Sequence, residues 1–369
     1  MSRALKQLRR RPRSFLLLAG AQTVLVILAL FLEGLIGGIY TETAGALQVQ
    51  RADLVTFSTY AAGDPLASRV TPTILAHIRR VPGVHSVSGL GAVLTGAELP
   101  AGQTASVAMI GYQAANQAVP APPPPGEAYA DRSLTTHGVK IGQRLLVGPN
   151  QTPVRVIGWV SHTSLLLQGA LWVATPTWRS VLRAADPAAA LTRGEFQIAL
   201  ITTSPGASPA TVATRIDQAN GGRTRTLTRA QATGELPGLS AMRATFDGVI
   251  GATLLIAALI TALFFAIAVA ERRQILAVLS AIGLPSWTLG AELVIQAALV
   301  TFAAFVLAAI LAGGMALASP PGLPFALAPS SIIAVGLLAV ITAALGTVAA
   351  ARRATRIEPA LALSDPAPM

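Results

Sequence analysis

Cysteine is absent from the 369-residue chain, and lysine occurs only at Lys6 and Lys140. Without cysteine the protein has no disulfide bonds, no thiol catalysis and no cysteine-based zinc site. A P-loop that binds ATP requires a lysine directly after a glycine, and neither lysine has that neighbour. The four histidines are scattered, and the sequence motifs of serine hydrolases and zinc proteases are missing. These absences exclude a P-loop ATPase and predict a protein that is not an enzyme.

Charged residues are also scarce, at 12% of the chain, whereas 53% of the residues are hydrophobic. Together with a mean hydropathy of +0.60, this composition is typical of an integral membrane protein. A helix needs roughly 20 apolar residues to cross the hydrocarbon core of a bilayer. Four segments meet that requirement, at residues 14–40, 246–270, 289–318 and 331–351.

The basic residues next to these segments predict the orientation. Six lie in the head (1–13), two in the connection 271–288 and three in the tail (352–369), whereas the loop 319–330 has none. Because cytoplasmic loops are enriched in Lys and Arg, both termini and the 271–288 connection are expected in the cytoplasm. Residues 41–245 are then extracytoplasmic. The expected location is the bacterial cytoplasmic membrane, with several membrane passes.

The net charge of +11 could indicate a nucleic-acid-binding protein. However, eleven of the 27 basic residues are the cytoplasmic ones, and none of these lies beside an aromatic or glycine-rich recognition segment. We therefore expect no nucleic-acid partner. Attraction to anionic lipids of the inner leaflet accounts for the basic head.

The extracytoplasmic segment has the pattern of an α/β domain. Alternating and β-branched residues, with helix start and stop signals, predict strands and helices in 50–112 and 196–230. Their order predicts a split ferredoxin-like layer. A β-rich lobe is inserted at 113–195, after a proline-rich hinge. The predicted fold is thus membrane α-helical, with four transmembrane helices and a large extracytoplasmic α/β domain.

The connection 271–288 carries the pattern of a short amphipathic helix that ends at Gly283 and Pro285. Such a helix either docks on a partner or lies in the lipid headgroups without one. Its apolar face consists of Ile275, Leu276, Val278, Leu279 and Ile282.

Three residues near the outer ends of the first two transmembrane segments are candidates for substrate binding: Glu33, Met242 and Asp247. An acid or methionine at this level could line an outer-leaflet cavity or bind a heme iron. The alternative for Glu33 is a solvated acid at the membrane interface. The small residues expected to let the first and second helices approach closely are Gly34, Gly37 and Gly38.

Two stretches carry a resemblance to a known family. The stretch "ERRQILAVLSAIG" has a charged "RR-x-I" followed by "L-x-x-[LI]-G", and a basic pair near the end of the chain is followed by "EPAL". With the arrangement of one helix, a large domain and three helices, the chain resembles the MacB/FtsX/LolC-type permeases of ATP-binding-cassette (ABC) systems. The lobe sequences "DRSL", "GVKIG" and "VGP" resemble the compact heme-exporter and DevC-like branch.

The resemblance implies a permease subunit that moves with a separate ATPase. It implies two ATPase copies, which bind ATP and Mg, and a second permease chain, most simply in a homodimer. No cofactor is expected in this chain, and heme is a possible substrate. The implied function is the expulsion of a hydrophobic or amphiphilic substrate; the alternative is an FtsX-like signalling subunit that regulates a cell-wall hydrolase. The implied ATPase-coupling residues are Glu271, Arg272, Arg273, Ile275, Leu276, Val278, Leu279, Ile282 and Gly283.

Overall fold

The computed structural model describes residues 12–61, 64, 66–99, 102–236, 238–271, 286–318 and 323–355. The chain divides into two compact units. We call the first the helical unit; it comprises Met1–Gly37, Ala244–Ser319 and Phe325–Met369. We call the second the sheet unit; it comprises Gly38–Arg243 and Pro320–Pro324.

Eight α-helices, two short 3-10 helices (Thr59–Ala61 and Arg132–His137) and nine strands occur among the described residues. The helices are α1 (Pro12–Gln48), α2 (Pro72–Arg80), α3 (Thr175–Ala185), α4 (Pro209–Ala219), α5 (Arg229–Gly234), α6 (Leu239–Ala270), α7 (Ser286–Ala318) and α8 (Pro329–Thr355). The strands are β1 (Leu54–Ser58), β2 (Val84–Glu98), β3 (Thr104–Tyr112), β4 (Glu127–Asp131), β5 (Arg144–Val147), β6 (Thr152–Val160), β7 (Gly169–Ala174), β8 (Ile198–Thr203) and β9 (Thr224–Thr228).

Helices α1, α6, α7 and α8 are each long and apolar enough to cross a membrane, over Phe15–Gln48, Leu239–Ala270, Ala291–Ala318 and Pro329–Ala349. In the helical unit they share one core, in which Val26 of α1 packs with residues of the other three helices. Large apolar side chains on the outside are mostly uncovered: Leu263 is 63% exposed and Ile310 is 66% exposed. A bundle with an apolar exterior suits a lipid environment and confirms the predicted membrane-helical fold class.

The sheet unit contains a mixed nine-stranded sheet in the order β3-β7-β4-β6-β5-β2-β8-β1-β9. Strands β2, β8, β1 and β9 are antiparallel neighbours. Helix α2 connects β1 to β2, and α4 connects β8 to β9. This is the β-α-β, β-α-β arrangement of a ferredoxin-like layer, with the residues between β2 and β8 inserted.

Six strands form a closed ring of pairings, which we call the β ring. An additional pairing of β3 with β2 closes the order β2-β3-β7-β4-β6-β5 on itself. The 15-residue strand β2 belongs to both the ferredoxin-like layer and the β ring, because residues 84–90 pair with β8 and residues 90–98 pair with β3. The sequence interpretation assigned β3 to the ferredoxin-like layer and began the lobe at residue 113. In the structure β3 instead pairs with β2 and β7, so the insertion shares a sheet with the layer.

Alternate residues of the strands enter two different cores. Val107 and Met109 of β3 face the first core, where they pack with residues of α2, α3 and α4. Ala108 and Ile110 face the second core, which also contains Leu47 from the end of α1. Both sides of the sheet are therefore buried, and the last turns of α1 cover one of them.

Three glycines make room for two aromatic rings in the first core. Gly91 and Gly111 are cross-strand partners, and the Trp178 side chain lies directly over both. A Cβ atom at Gly91 would come within 2.0 Å of this indole. The indole stacks on Phe196, with ring centroids 6.2 Å apart, and the Phe196 ring lies over Gly89. This contact attaches α3 to β2 and β3.

Candidate functional site

The ATPase-coupling residues fall almost entirely outside the described residues. Glu271 directly follows α6 and is exposed. The chain is described again from Ser286, where α7 begins. The coupling assignment of the following residues therefore stays a prediction from sequence: Arg272, Arg273, Ile275, Leu276, Val278, Leu279, Ile282 and Gly283.

Glu33 is buried in the helical unit, with only 7% of its surface exposed. It lies on α1, one turn beyond the apolar core residues Ala29 and Leu30. This burial is more than a solvated acid at the membrane interface would show; both readings of Glu33 stay predictions from sequence. Burying an acid in an apolar bundle is costly and commonly marks a functional position.

The glycines next to Glu33 contact a loop segment. A Cβ atom at Gly34 would lie 2.4 Å from the Phe325 ring, and one at Gly37 would lie 2.3 Å from the Ala326 carbonyl oxygen. The Ala326 amide donates a hydrogen bond of 2.8 Å to the Gly34 carbonyl. The expectation that these two glycines accommodate the second transmembrane helix was wrong, since the segment that precedes α8 occupies this surface of α1.

Met242 and Asp247 both lie on α6 and are both exposed. They are five residues apart, which places them about 140° apart around a helix. Met242 belongs to the sheet unit, whereas Asp247 belongs to the helical unit together with Glu33. Helix α6 therefore does not present Met242 and Asp247 on one face. Among the described residues, no group of three or more His, Cys, Asp or Glu side chains could hold a metal ion.

A buried polar contact between α1 and α6 was not predicted. Gln22 is 1% exposed, and its amide nitrogen donates to the Ala257 carbonyl at 2.7 Å and to the Thr261 hydroxyl. Thr261 itself donates to the Ala257 carbonyl at 2.9 Å. Polar side chains between membrane helices hydrogen-bond across them and fix their pairing. The signal was present in the sequence, because Gln22 interrupts an apolar run.

Comparison with known proteins gives a match in the second half of the chain. Residues 248–359 match the FtsX-like permease C-terminal family, a range that includes most of α6, the 271–288 connection, α7 and α8. No curated protein matches the sequence.

Two solved structures are similar to the chain at low identity. The periplasmic region of MacB from Actinobacillus actinomycetemcomitans is 11% identical with a TM-score of 0.37, covering 50% of this chain and 91% of that one. The extracellular domain of the noncanonic ABC-type transporter YknZ from Gram-positive bacteria is 11% identical with a TM-score of 0.33, covering 47% of this chain and 99% of that one.

The family match and the four apolar helices support an ABC-type permease subunit. They confirm a multi-pass protein of the cytoplasmic membrane that carries a large extracytoplasmic domain. Such a subunit generally works with an ABC ATPase and has no enzymatic activity of its own.

Proposed function

We propose that the chain is the permease subunit of an ATP-driven exporter that works by mechanotransmission. ATP binding by a separate ATPase moves the transmembrane helices, and these move the extracytoplasmic domain. The observation that carries the proposal is the family match across residues 248–359, which contains the short charged connection between α6 and α7. Only 15 residues, 271–285, separate these two helices, which is enough for a docking helix and too few for a domain of their own.

The proposed complex contains two copies of the ATPase and two permease chains. Because the chain has no P-loop, ATP and Mg bind to the ATPase. The apolar face formed by Ile275, Leu276, Val278, Leu279 and Ile282 would dock on that ATPase. A homodimer of the permease is the simplest arrangement, since a two-fold pair of chains offers the ATPases two equivalent docking surfaces.

We propose a hydrophobic or amphiphilic substrate, such as heme, a drug or a lipid-like molecule. Four helices with apolar exteriors give access to a substrate dissolved in the outer leaflet. Glu33 is the residue we propose to contact it, because a buried acid in a membrane helix commonly marks a functional position. The heme-exporter and DevC-like branch would make heme the first compound to test.

The substrate role of Glu33 can be tested by removing its charge. We expect Glu33→Gln, which keeps the side-chain volume, to abolish stimulation of the complex's ATPase activity by the substrate and to leave the basal activity unchanged. With heme as the probe, the Soret band of the titrated protein should weaken in the same variant. Glu292→Gln, at the inner end of α7, is the matched control and should behave like the unchanged protein. Full stimulation and full heme absorbance in Glu33→Gln would exclude Glu33 from substrate binding.

The alternative is a signalling subunit of the FtsX kind, which uses the same movement to regulate a cell-wall hydrolase. Cells that lack the protein distinguish the two functions. Loss of an exporter should sensitise cells to an amphiphile and raise its concentration in the membrane. Loss of a signalling subunit should alter cell separation and wall hydrolysis, with no change in sensitivity. A gene for the ATPase next to a heme-responsive regulator would favour export, and one next to a hydrolase would favour signalling.

A further inference from the structure

The last turns of α1 are hydrogen-bonded to the loop that joins β6 and β7. We call residues 162–167 of this loop the clamp loop. Backbone groups inside a helix ordinarily bond to residues four positions away in the same helix. Here three backbone groups of α1 form hydrogen bonds with the clamp loop. The Ala46 amide donates to the Ser164 carbonyl (3.0 Å), and the carbonyls of Thr43 and Glu42 accept from the amides of Leu166 (2.9 Å) and Leu167 (3.0 Å).

Gly45 makes this contact possible. A Cβ atom at this position would lie 2.6 Å from the His162 carbonyl oxygen and 3.2 Å from that of Ser164. Any side chain would push the loop and the helix apart. Gly45 therefore acts through the clamp loop and is a positioning residue.

The clamp loop is held in its conformation by the β ring. The Asp131 carboxylate, at the end of β4, accepts hydrogen bonds from the Thr163 amide at 2.8 Å and from the Thr163 hydroxyl at 2.6 Å. Thr163 and Ser164 are fully buried. Three non-glycine residues of this loop have positive φ angles, namely His162 (59°), Leu166 (50°) and Leu167 (64°). Backbone strain of this kind persists only where the surroundings enforce the conformation.

The side chains continue the same contact. Ala44 and Leu47 of α1 pack in the second core with Leu165 of the clamp loop and Trp172 of β7. Beyond Gln48, only residues 49–53 connect α1 to β1. Without the clamp loop, this short connection would be the place where a moving helix could bend away from the sheet.

We infer that the clamp loop joins the end of α1 to the β ring as one mechanical body, so that a displacement of α1 moves the ring. The inference rests on the proposed function, which supplies the displacement. Gly45 allows the contact, and Thr163 anchors it to β4.

A bulky side chain at position 45 tests this inference, because it would separate α1 from the clamp loop. The absence of native cysteine allows one spin label to be placed at Arg183→Cys on α3, which packs on β2 and β3 of the ring, in each of the two permease chains of the proposed complex. The distance between the two labels reports the movement of the rings and is measured in the permease–ATPase complex in lipid nanodiscs, with and without ATP. Gly45→Leu is expected to abolish the ATP-dependent change in distance while the ATPase remains bound. Gly20→Leu is the matched control, since nothing lies within 4 Å of an added Cβ there, and it should keep the change.

The results of the distance measurement distinguish a failure of the inference from a failure of the proposed function. A full ATP-dependent change in Gly45→Leu would overturn the inference. No change in the unmodified, doubly labelled complex would overturn the proposed function itself. If Gly45→Leu does not fold, Thr163→Val takes its place: it removes the hydrogen bond from the Thr163 hydroxyl to Asp131, keeps the one from the amide, and should reduce the change, whereas Thr163→Ser keeps a hydroxyl and should retain the change. A full change in Thr163→Val would also overturn the inference.

A covalent lock provides the opposite test. A hydrogen bond of 3.0 Å joins the Leu167 amide to the Glu42 carbonyl, so the two backbones are close enough for a disulfide between cysteines at these positions. If α1 and the ring move as one body, oxidised Glu42→Cys/Leu167→Cys should keep the full ATPase activity and the full ATP-dependent change. Loss of either on oxidation, with recovery on reduction, would show that the clamp opens during the cycle and would contradict the inference.

Discussion

Replacing Leu276 and Leu279 with glutamate is expected to release the ATPase from the permease. Both leucines lie on the predicted docking face of residues 271–288. Each buried leucine contributes about 1.5–3 kcal/mol, and the new carboxylates would have to give up their hydration. Together these losses should weaken ATPase binding by at least two orders of magnitude. The measurement is the amount of ATPase that co-purifies with the tagged permease in detergent.

The control for this experiment places the same charges on the other side of the same helix. Ala277→Glu/Ala281→Glu puts two glutamates on the other side of the predicted helix, at least about 60° from every residue of the docking face, and should retain the ATPase. Thermal melting of the permease shows whether either variant unfolds. If Leu276→Glu/Leu279→Glu keeps the ATPase at the unchanged level, the segment is a helix that lies in the headgroups and is not a docking helix.

Removing the Trp178 indole is expected to give the largest loss of stability in the sheet unit. The ring is fully buried between Phe196 and the glycine pair at 91 and 111. Trp178→Ala should cost about 3–5 kcal/mol, which lowers the melting temperature of a domain of this size by roughly 6–20 °C. Amide hydrogen exchange of β2 and β3 in the full-length protein follows this unfolding without interference from the membrane helices.

A second substitution tests whether Gly91 is glycine because of this ring. Gly91→Ala alone should destabilise the sheet unit by about 1–3 kcal/mol, because the methyl group overlaps the indole. In the Trp178→Ala background, the same methyl group should be tolerated or should even fill the space. Gly96→Ala, in the same strand with only the Thr104 methyl near its Cβ position at 3.3 Å, is the matched control. Additive losses from the two substitutions would contradict this explanation.

The sequence predicts the membrane helices well, because a span of apolar residues is a local signal. It does not predict how far α1 continues. The first span was expected to end at residue 40, where Thr41 and Glu42 end the apolar run, but the helix reaches Gln48. Its 37 residues extend about 55 Å, well beyond a hydrocarbon core of about 30 Å. The extension is stabilised by tertiary contacts of Ala44 and Leu47, which the local sequence does not show.

The β ring illustrates a second limit. Alternating residues identify β3 as a strand but do not identify its partners. Strand β3 pairs in parallel with β7, which lies some 60 residues later, from Val107 opposite Gly169 to Tyr112 opposite Ala174. Pairing between distant strands depends on the complementary shapes of whole surfaces. The glycines of β2 and β3 indicate a surface with room for a large side chain, but the Trp178 indole that packs there belongs to α3.

In the candidate site too, the sequence predicts local features but not the contacts between distant residues. The sequence identified Glu33 as an unusual acid, and the structure adds that it is buried. The sequence could not show that Gly34 and Gly37 contact Phe325 and Ala326, because that contact joins parts of the chain nearly 300 residues apart. The clamp loop was missed for a physical reason: its bonds to α1 come from backbone groups, which every residue has.

The composition of the native complex tests the central claim most directly. The claim is that the chain is a permease subunit driven by a separate ATPase. Native mass spectrometry of the tagged protein, extracted gently from its own membranes, should give two copies of the 37.8 kDa chain with two copies of a P-loop ATPase. Addition of ATP should then lead to hydrolysis by this complex. Recovery of the chain alone, or with partners of which none contains a P-loop, would contradict the account.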